Sequence, residues 1–392
     1  MIPFSVLDLA PVIEGGDVSQ ALHNSRDLAV NAERLGYNRF WLAEHHNMPG
    51  IASAATALTI MNAAEATKTI RVGAGGIMLP NHAPIVIAEQ FGTLEALYPG
   101  RIDLGLGRAP GGDQRVAMAL RRTLVGGEDR FPQDVLELQA LLAPAQPRQI
   151  VRAVPGEGAN VPLWILGSST FGAQLAAALG LPFAFASHFA PAQMMSAIEI
   201  YRATFQPSEQ LQKPYVMLGF NLFAAESDEE GRVLATSLMQ AFASLRRGIP
   251  RKLQPPDPAF EASLTEAERA SLQEVLNCSA IGSPETVKHS IEAFIARTGA
   301  DELILASHIY DHGARVRAYE IAAEVRAEAE RRVVAHGEIA RPVFGRCDLI
   351  GVHRAGLFVL RFQGGGVEWA AQFLGVFAEH GAGGDFGGAL FV

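Results

Sequence analysis

The strongest constraint on this sequence is a repeated alternation. Short apolar runs of strand length are each followed by a longer segment whose apolar residues recur with a helical period. Phe4 to Leu9 is the first run, and Ser19 to Leu35 then places Leu22, Leu28, Ala29, Ala32 and Leu35 on one face before Gly36 ends it. Arg39–Ala43, Thr69–Gly76, Ile102–Leu106, Pro162–Leu166, Phe183–Ser187, Tyr215–Ala224 and Glu302–Ser307 read as seven further strands. Helices are expected over Ala52–Ala66, Ala83–Leu97, Phe131–Leu142, Phe171–Leu179, Ala190–Phe205, Asp228–Leu245, Pro284–Arg297 and Arg315–Val334. Strands joined through helices must run parallel, and eight such units over roughly 335 residues predict a (β/α)8 TIM barrel with insertion loops.

Two segments depart from the alternation. Gly248 to Cys278 carries Pro250, Pro255, Pro256 and Pro258, so an insertion with one short helix is expected at about 248–280, a candidate lid. Residues 337–392 contain thirteen glycines and no lysine, with no clear helical or strand period beyond an apolar run at Leu357–Phe362. The expectation is a TIM-barrel domain over 1–336 followed by an atypical glycine-rich extension over 337–392, disordered or poorly packed. Such an extension is either unrelated sequence, as from out-of-frame readthrough, or an ordinary accessory segment.

Composition narrows the function classes. The net charge of −9 comes with no basic stripe, which argues against a nucleic-acid partner. Cys278 and Cys347 are too few for a disulfide framework or a cysteine metal site and suit a reducing compartment. No apolar run reaches membrane-spanning length, and the N-terminus lacks a signal peptide's basic and apolar regions. A soluble, cytoplasmic protein without a membrane partner is expected.

The chemistry gathers where strands end. Between Arg71 and Asp113 the third strand is interrupted by Gly73, Gly75 and Gly76, a sign of a bulge or of a ligand's close approach. The fourth strand delivers Arg108 into a loop of Ala109, Pro110, Gly111 and Gly112. In parallel α/β folds ligands bind at the carboxyl ends of strands, so Arg108 is either an anion clamp, suited to phosphate, or the partner of a nearby carboxylate. After the fifth strand, Gly167, Ser168, Ser169 and Thr170 open a helix, and a hydroxyl-lined helix N-terminus offers a second anion site. The second strand ends in Glu44, His45, His46 and Asn47. Adjacent strand residues point to opposite sides, so one of the two histidines faces the barrel mouth and the other is structural. No third ligand is placed by spacing, so no metal site is expected. His82 and His188 also lie near strand ends, where each either lines a pocket or caps a loop.

Four motifs, WLAEHHNMPG (Trp41–Gly50), GAGGIMLPNHAP (Gly73–Pro84), PGRIDLGLGRAPG (Pro99–Gly111) and IGSPETV (Ile281–Val287), resemble those of the bacterial-luciferase-like flavin-dependent monooxygenases. The likeness spans residues 2 to 334 and is nearest to single-component-type bacterial members whose function is not characterised. It implies a TIM barrel, in agreement with the strand count. It implies a non-prolyl cis peptide beneath the flavin ring at Gly75–Gly76, where the lack of Cβ atoms eases a bond that costs about 3–4 kcal/mol. It further implies that Arg108 with Ser168, Ser169 and the backbone near Gly172 binds the FMN phosphate. His45 becomes the active-site histidine, a general base or a hydrogen-bond partner of the oxygenated flavin. The implied reaction uses reduced FMN and O2 to oxygenate a small organic substrate. A separate NAD(P)H flavin reductase supplies FMNH2, and the protein forms a homodimer. Two alternatives remain: hydride transfer with the deazaflavin F420, as in a sister branch, and a flavin-binding protein without turnover.

Overall fold

The computed structural model of the 392-residue chain describes residues 1–109, 119–120, 130–339, 347–353, 357–364 and 367–374. Eight parallel strands close into a barrel: β1 (Phe4–Asp8), β2 (Arg39–Leu42), β3 (Arg71–Met78), β4 (Ile102–Gly107), β5 (Leu163–Gly167), β6 (Phe183–Phe185), β7 (Val216–Ala224) and β9 (Glu302–Ala306). Each pairs with the next, β6 with β7, β7 with β9 and β9 with β1, so no barrel edge is left open. The helices on the outside are α1 (Val18–Arg34), α2 (Thr56–Ala66), α3 (Pro84–Leu97), α4 (Phe131–Leu142), α5 (Thr170–Leu179), α6 (Met194–Thr204), α7 (Asp228–Arg246), α8 (Glu266–Leu276), α9 (Pro284–Thr298) and α10 (His312–Ile339).

The period-2 alternation of each strand sorts its side chains between two cores. Phe4, Val6, Phe40, Leu42, Leu303 and Leu305 face outward into a large core shared with the helices. Leu7, Trp41, Ala43, Trp164, Ala184, Met217, Ile304 and Ala306 fill the barrel interior, with the Trp41 and Trp164 rings edge-to-face at 5.1 Å. Below this layer a buried charge cluster closes the amino end of the barrel. Arg39 donates to Asp103 at 2.6 Å and to Glu302 at 2.8 Å, Trp41 Nε1 donates to Asp103 at 3.1 Å, and Tyr215 donates to Glu302 at 2.8 Å. Burial disfavours the Arg39 charge, but the two carboxylates outweigh it and raise the pKa.

Helix boundaries follow their caps. Asp17, Ser227 and Ser283 accept the amides of Gln20, Glu230 and Thr286, and α9 opens with Pro284 as the sequence expects. Gly180 and Gly299, in the left-handed region, close α5 and α9.

Two differences from the sequence expectation stand out, while the insertion carries a short helix as expected. A ninth strand, β8 (Ser279–Gly282), pairs with the carboxyl half of β7 outside the closed barrel; at four residues it was too short to separate from the end of the proline-rich insertion. Within that insertion Thr265 and Glu268 form a capping box that starts α8. The insertion is pinned to the mouth loops: Leu253 exchanges backbone hydrogen bonds with Val12 and Glu14 at 2.9 and 2.8 Å, and Lys252 Nζ reaches the Gly16 carbonyl at 2.7 Å. Finally, the tail contains a three-stranded antiparallel meander, β10 (Cys347–His353), β11 (Leu357–Gly364) and β12 (Val367–Leu374), where only Leu357–Phe362 read as strand. The chain divides into two compact units, Met1–Glu328 and Ala329–Val392. Among the described residues no helix is long and apolar enough to cross a membrane.

Candidate active site at the carboxyl end of the barrel

Six strand ends meet the carboxyl mouth with polar or bare backbone. The Gly75–Gly76 peptide at the end of β3 is cis. Both glycines are needed for space: a Cβ at 75 would lie 2.7 Å from Leu7 Cδ1 and 3.1 Å from Trp41 Cβ, and one at 76 would lie 2.8 Å from the Gly105 carbonyl oxygen. This part of β3 is bare backbone resting on the Trp41 layer, and its register against β4 shifts between Ala74 and Ile77.

Arg108 leaves β4 and stacks its guanidinium 4.1 Å over the ring of Phe171, in the first turn of α5. It makes no ion pair among the described residues, so of the two readings of Arg108 the carboxylate pair is not found there. Pro110, Gly111, Gly112 and Asp113 of the adjoining loop lie outside the described residues. Ser169 is the N-cap of α5 with extended backbone, its hydroxyl makes no capping bond, and Ser168 is exposed. The Thr170 amide donates to Gln193 Oε1 at 3.2 Å, so a carboxamide oxygen occupies a position suited to an anion's oxygen. Gly172 is buried, but a Cβ there would make ordinary contacts of 3.4 Å or more with Phe183 and Gly167, so space alone does not demand glycine. Arg108 and the α5 N-terminus, far apart in sequence, are thus neighbours in space.

The two histidines lie in the loop that follows β2, past the last strand residue Leu42. His46 Nε2 lies 2.7 Å from Glu44 Oε1, and His82 Nε2 lies 2.9 and 3.0 Å from the two Glu44 oxygens. The Met78 amide donates to Glu44 Oε2 at 3.0 Å. Burial alone would raise the Glu44 pKa, but the hydrogen bonds from His82, His46 and Met78 outweigh it and hold the carboxyl below its ordinary value. His46 and His82 therefore fasten the β2 and β3 loops together, and His82 is a loop cap rather than a pocket residue. Among the described residues no group of three or more His, Cys, Asp or Glu side chains could hold a metal ion.

His45 interacts electrostatically with His188 after β6 and His308 after β9. Burial, then His308 and His45, push the His188 pKa down to about 3. Burial, the Arg315 charge and His45, against the opposing pull of Asp8, push that of His308 down to about 4. Both rings are neutral at physiological pH. Sequence reasoning singled out His188 but missed His308 and Phe171. His308 stands just past the last strand, as His45 and His188 stand past theirs, and that shared position was the available signal.

Residues 2–302 match the family profile described as luciferase-like monooxygenase. A luciferase-like monooxygenase of Escherichia coli K12 is 51% identical over 327 residues, which cover 83% of this chain and 98% of that protein. The crystal structure of apo-MsnO8 superposes with a TM-score of 0.78 at 34% identity, covering 83% of this chain and 99% of the other. At 18% identity the fold alone is shared with the oxygenating constituent of 3,6-diketocamphane monooxygenase from Pseudomonas putida, solved in complex with FMN, at a TM-score of 0.61 over 82% of this chain and 96% of that one.

Proposed function

The chain belongs to the luciferase-like monooxygenase family, an oxidoreductase family, and on that premise we propose that it is an FMN-dependent monooxygenase that uses reduced FMN and O2 to oxygenate a small organic substrate. The observation that carries the reading is the convergence on one mouth of a glycine floor, Gly75–Gly76, and a cation with no carboxylate partner among the described residues, Arg108, held over Phe171 at a helix N-terminus that its N-cap side chain does not bond. The relative crystallised with FMN supports the choice of cofactor.

In this reading Arg108, with the amides and hydroxyls that begin α5, Ser168, Ser169 and the backbone near Gly172, would hold the flavin phosphate in place of the Gln193 carboxamide. Gly75–Gly76 gives the ring a surface without side chains. Bound reduced FMN supplies the electrons that activate O2. His45 holds or takes a proton at its ring nitrogen beside the reacting centre, and the insertion anchored through Leu253 excludes water. A separate NAD(P)H flavin reductase delivers reduced FMN, two chains pair as a homodimer, and the enzyme works in the cytoplasm.

Titration of the flavin-free protein with FMN, reduced FMN and F420, in wild type and Arg108→Ala, tests the reading. Binding of reduced FMN that Arg108→Ala weakens supports it. Binding of F420 alone moves the reaction to hydride transfer, and tight binding of oxidised FMN without oxygen consumption after reduction leaves a flavin carrier. Sedimentation equilibrium tests the dimer.

A further inference from the structure

The proposed flavin site leaves one group of buried polar atoms unused. His188 Nδ1, His308 Nδ1 and Asn221 Oδ1 are enclosed, and each makes no hydrogen bond among the described residues. The three atoms belong to residues that share one wall. His188 turns its Nδ1 edge toward β7, where a Cβ at Gly219 would come within 2.0 Å of Nδ1, so the bare backbone of Gly219 is what admits the ring. Ser187 Oγ donates to the Gly219 carbonyl at 2.6 Å, and Asn221 Nδ2 donates to the His188 carbonyl at 2.8 Å, which fixes the loop carrying the imidazole. His45 and His308 stand near enough to act on its charge.

We propose that His188 and His308 are specificity residues: with His45 they present a patch of imidazole that holds an uncharged oxygen of the organic substrate, a carbonyl, amide or hydroxyl, in preference to a carboxylate. This deepens the monooxygenase reading and rests on it in that Arg108 is committed to the phosphate.

With Nδ1 enclosed, each neutral imidazole has its other nitrogen to offer, as an N–H donor or a bare acceptor, and an amide or hydroxyl can meet either without any change of charge. A carboxylate entering the same wall needs a cation. The cation behind His308 is Arg315, which is 2% exposed and already bound to Asp8 at 3.1 Å, with its other nitrogen 3.2 Å from His312 Nδ1. The remaining source of positive charge is protonation of an imidazole that has two others beside it; burial opposes that for both His188 and His308, for His308 against the opposing pull of Asp8. The wall is therefore built for hydrogen bonding rather than ion pairing, and a bound group that left an imidazole nitrogen at the mouth without a partner would forfeit affinity.

The test uses flavin-free protein labelled with 15N at the histidine rings, titrated at pH 7.5 with hexanamide and with hexanoate, two probes of equal chain length. The expected result is that hexanamide moves the ring-nitrogen resonances of His188 and His308 and binds about tenfold more tightly than hexanoate, the step expected when buried polar groups gain or lose a partner. In His188→Leu and His308→Leu that ratio falls toward one. The proposal is overturned if hexanoate binds as well as hexanamide, if neither probe moves the two rings, or if folded variants keep the wild-type ratio. Should the variants not fold, the wild-type resonances and the affinity ratio decide alone. Failure of the flavin reading would appear instead in the reduced-FMN titration and leave these resonances as they are.

Discussion

The guanidinium of Arg108 lies 4.1 Å from the centre of the Phe171 ring, which joins the end of β4 to the first turn of α5 across the barrel mouth. The stack holds a cation at a helix N-terminus without neutralising it, since an aromatic face offers attraction but no counter-charge.

That arrangement sets an order of effects. Arg108→Ala is expected to weaken reduced-FMN binding by about 1.5–3 kcal/mol, the range for a hydrogen bond to a charged group. Phe171→Leu keeps the charge and removes the stack, so a smaller loss of about 0.5–1 kcal/mol is expected. Fluorescence or absorbance titration of both variants checks the order. An Arg108→Ala protein that binds reduced FMN like the wild type would remove the phosphate from this corner.

The glycine floor makes a second prediction, this one about folding. A methyl at Gly75 meets the end of a flexible side chain, Leu7 Cδ1 at 2.7 Å, together with Trp41, whereas a methyl at Gly76 meets the backbone oxygen of Gly105 at 2.8 Å. Overpacking typically costs about 1–3 kcal/mol, and Gly76→Ala should lie at the upper end because β4 cannot turn aside as a leucine can. Urea denaturation of the two variants would show Gly76→Ala with the lower midpoint; the reverse order would mean that the interior tryptophan layer is the stiffer wall.

Glu33 allows a clean test of acid stability. One oxygen, Oε1, accepts the amides of Lys68, Thr69 and Ile70 at 2.8, 2.5 and 3.0 Å, tying α1 to the entry of β3. Burial works against the charge, but these bonds outweigh it and hold the pKa at about 2, below the ordinary 4.5. For a depressed carboxylate the added stability is fully present above the unfolded pKa and disappears as pH falls through the folded one. The stability gap between wild type and Glu33→Gln should therefore be constant above about pH 4.5 and close toward pH 2. A gap that does not change with pH would assign the effect to packing.

Much of the barrel was legible because its signals are local. Each strand is a short apolar run and each helix an amphipathic period, so the eight barrel strands could be located from Phe4 to Ser307 without tertiary information. The structural role expected of one of the two histidines falls to His46, which binds Glu44, although both lie in a loop past the end of β2. What stayed hidden depends on neighbours distant in sequence. Nothing local to Phe171 says that Arg108 will stack on it. Nothing at Gly219 announces that it makes room for His188, a contact across thirty-one residues. Strand β8 is four residues long, and the meander after residue 346 is rich in glycine, so in both places the periodic signal was too short or too diluted to read.

The mouth histidines should leave a signature in the pH dependence of stability that the carboxylates cannot produce. In the unfolded chain His188 and His308 take up protons near their ordinary 6.5, while in the folded chain they resist protonation down to about 3 and about 4. Below pH 6.5 the unfolded state therefore binds more protons, and stability falls as pH falls. Glu33 and Glu44 are depressed carboxylates with an ordinary value of 4.5, so their contribution is constant above that pH and the window from 4.5 to 6.5 belongs to the histidines. Within it each ring can tilt stability by at most about 1.4 kcal/mol per pH unit. Denaturation at pH 5 and pH 7 should show wild type losing stability on acidification, with a smaller loss in His188→Leu and in His308→Leu and the smallest in the double variant. If the double variant kept the wild-type slope, the two rings would have to be freely protonated in the folded protein, and the mouth would be cationic in acid rather than neutral.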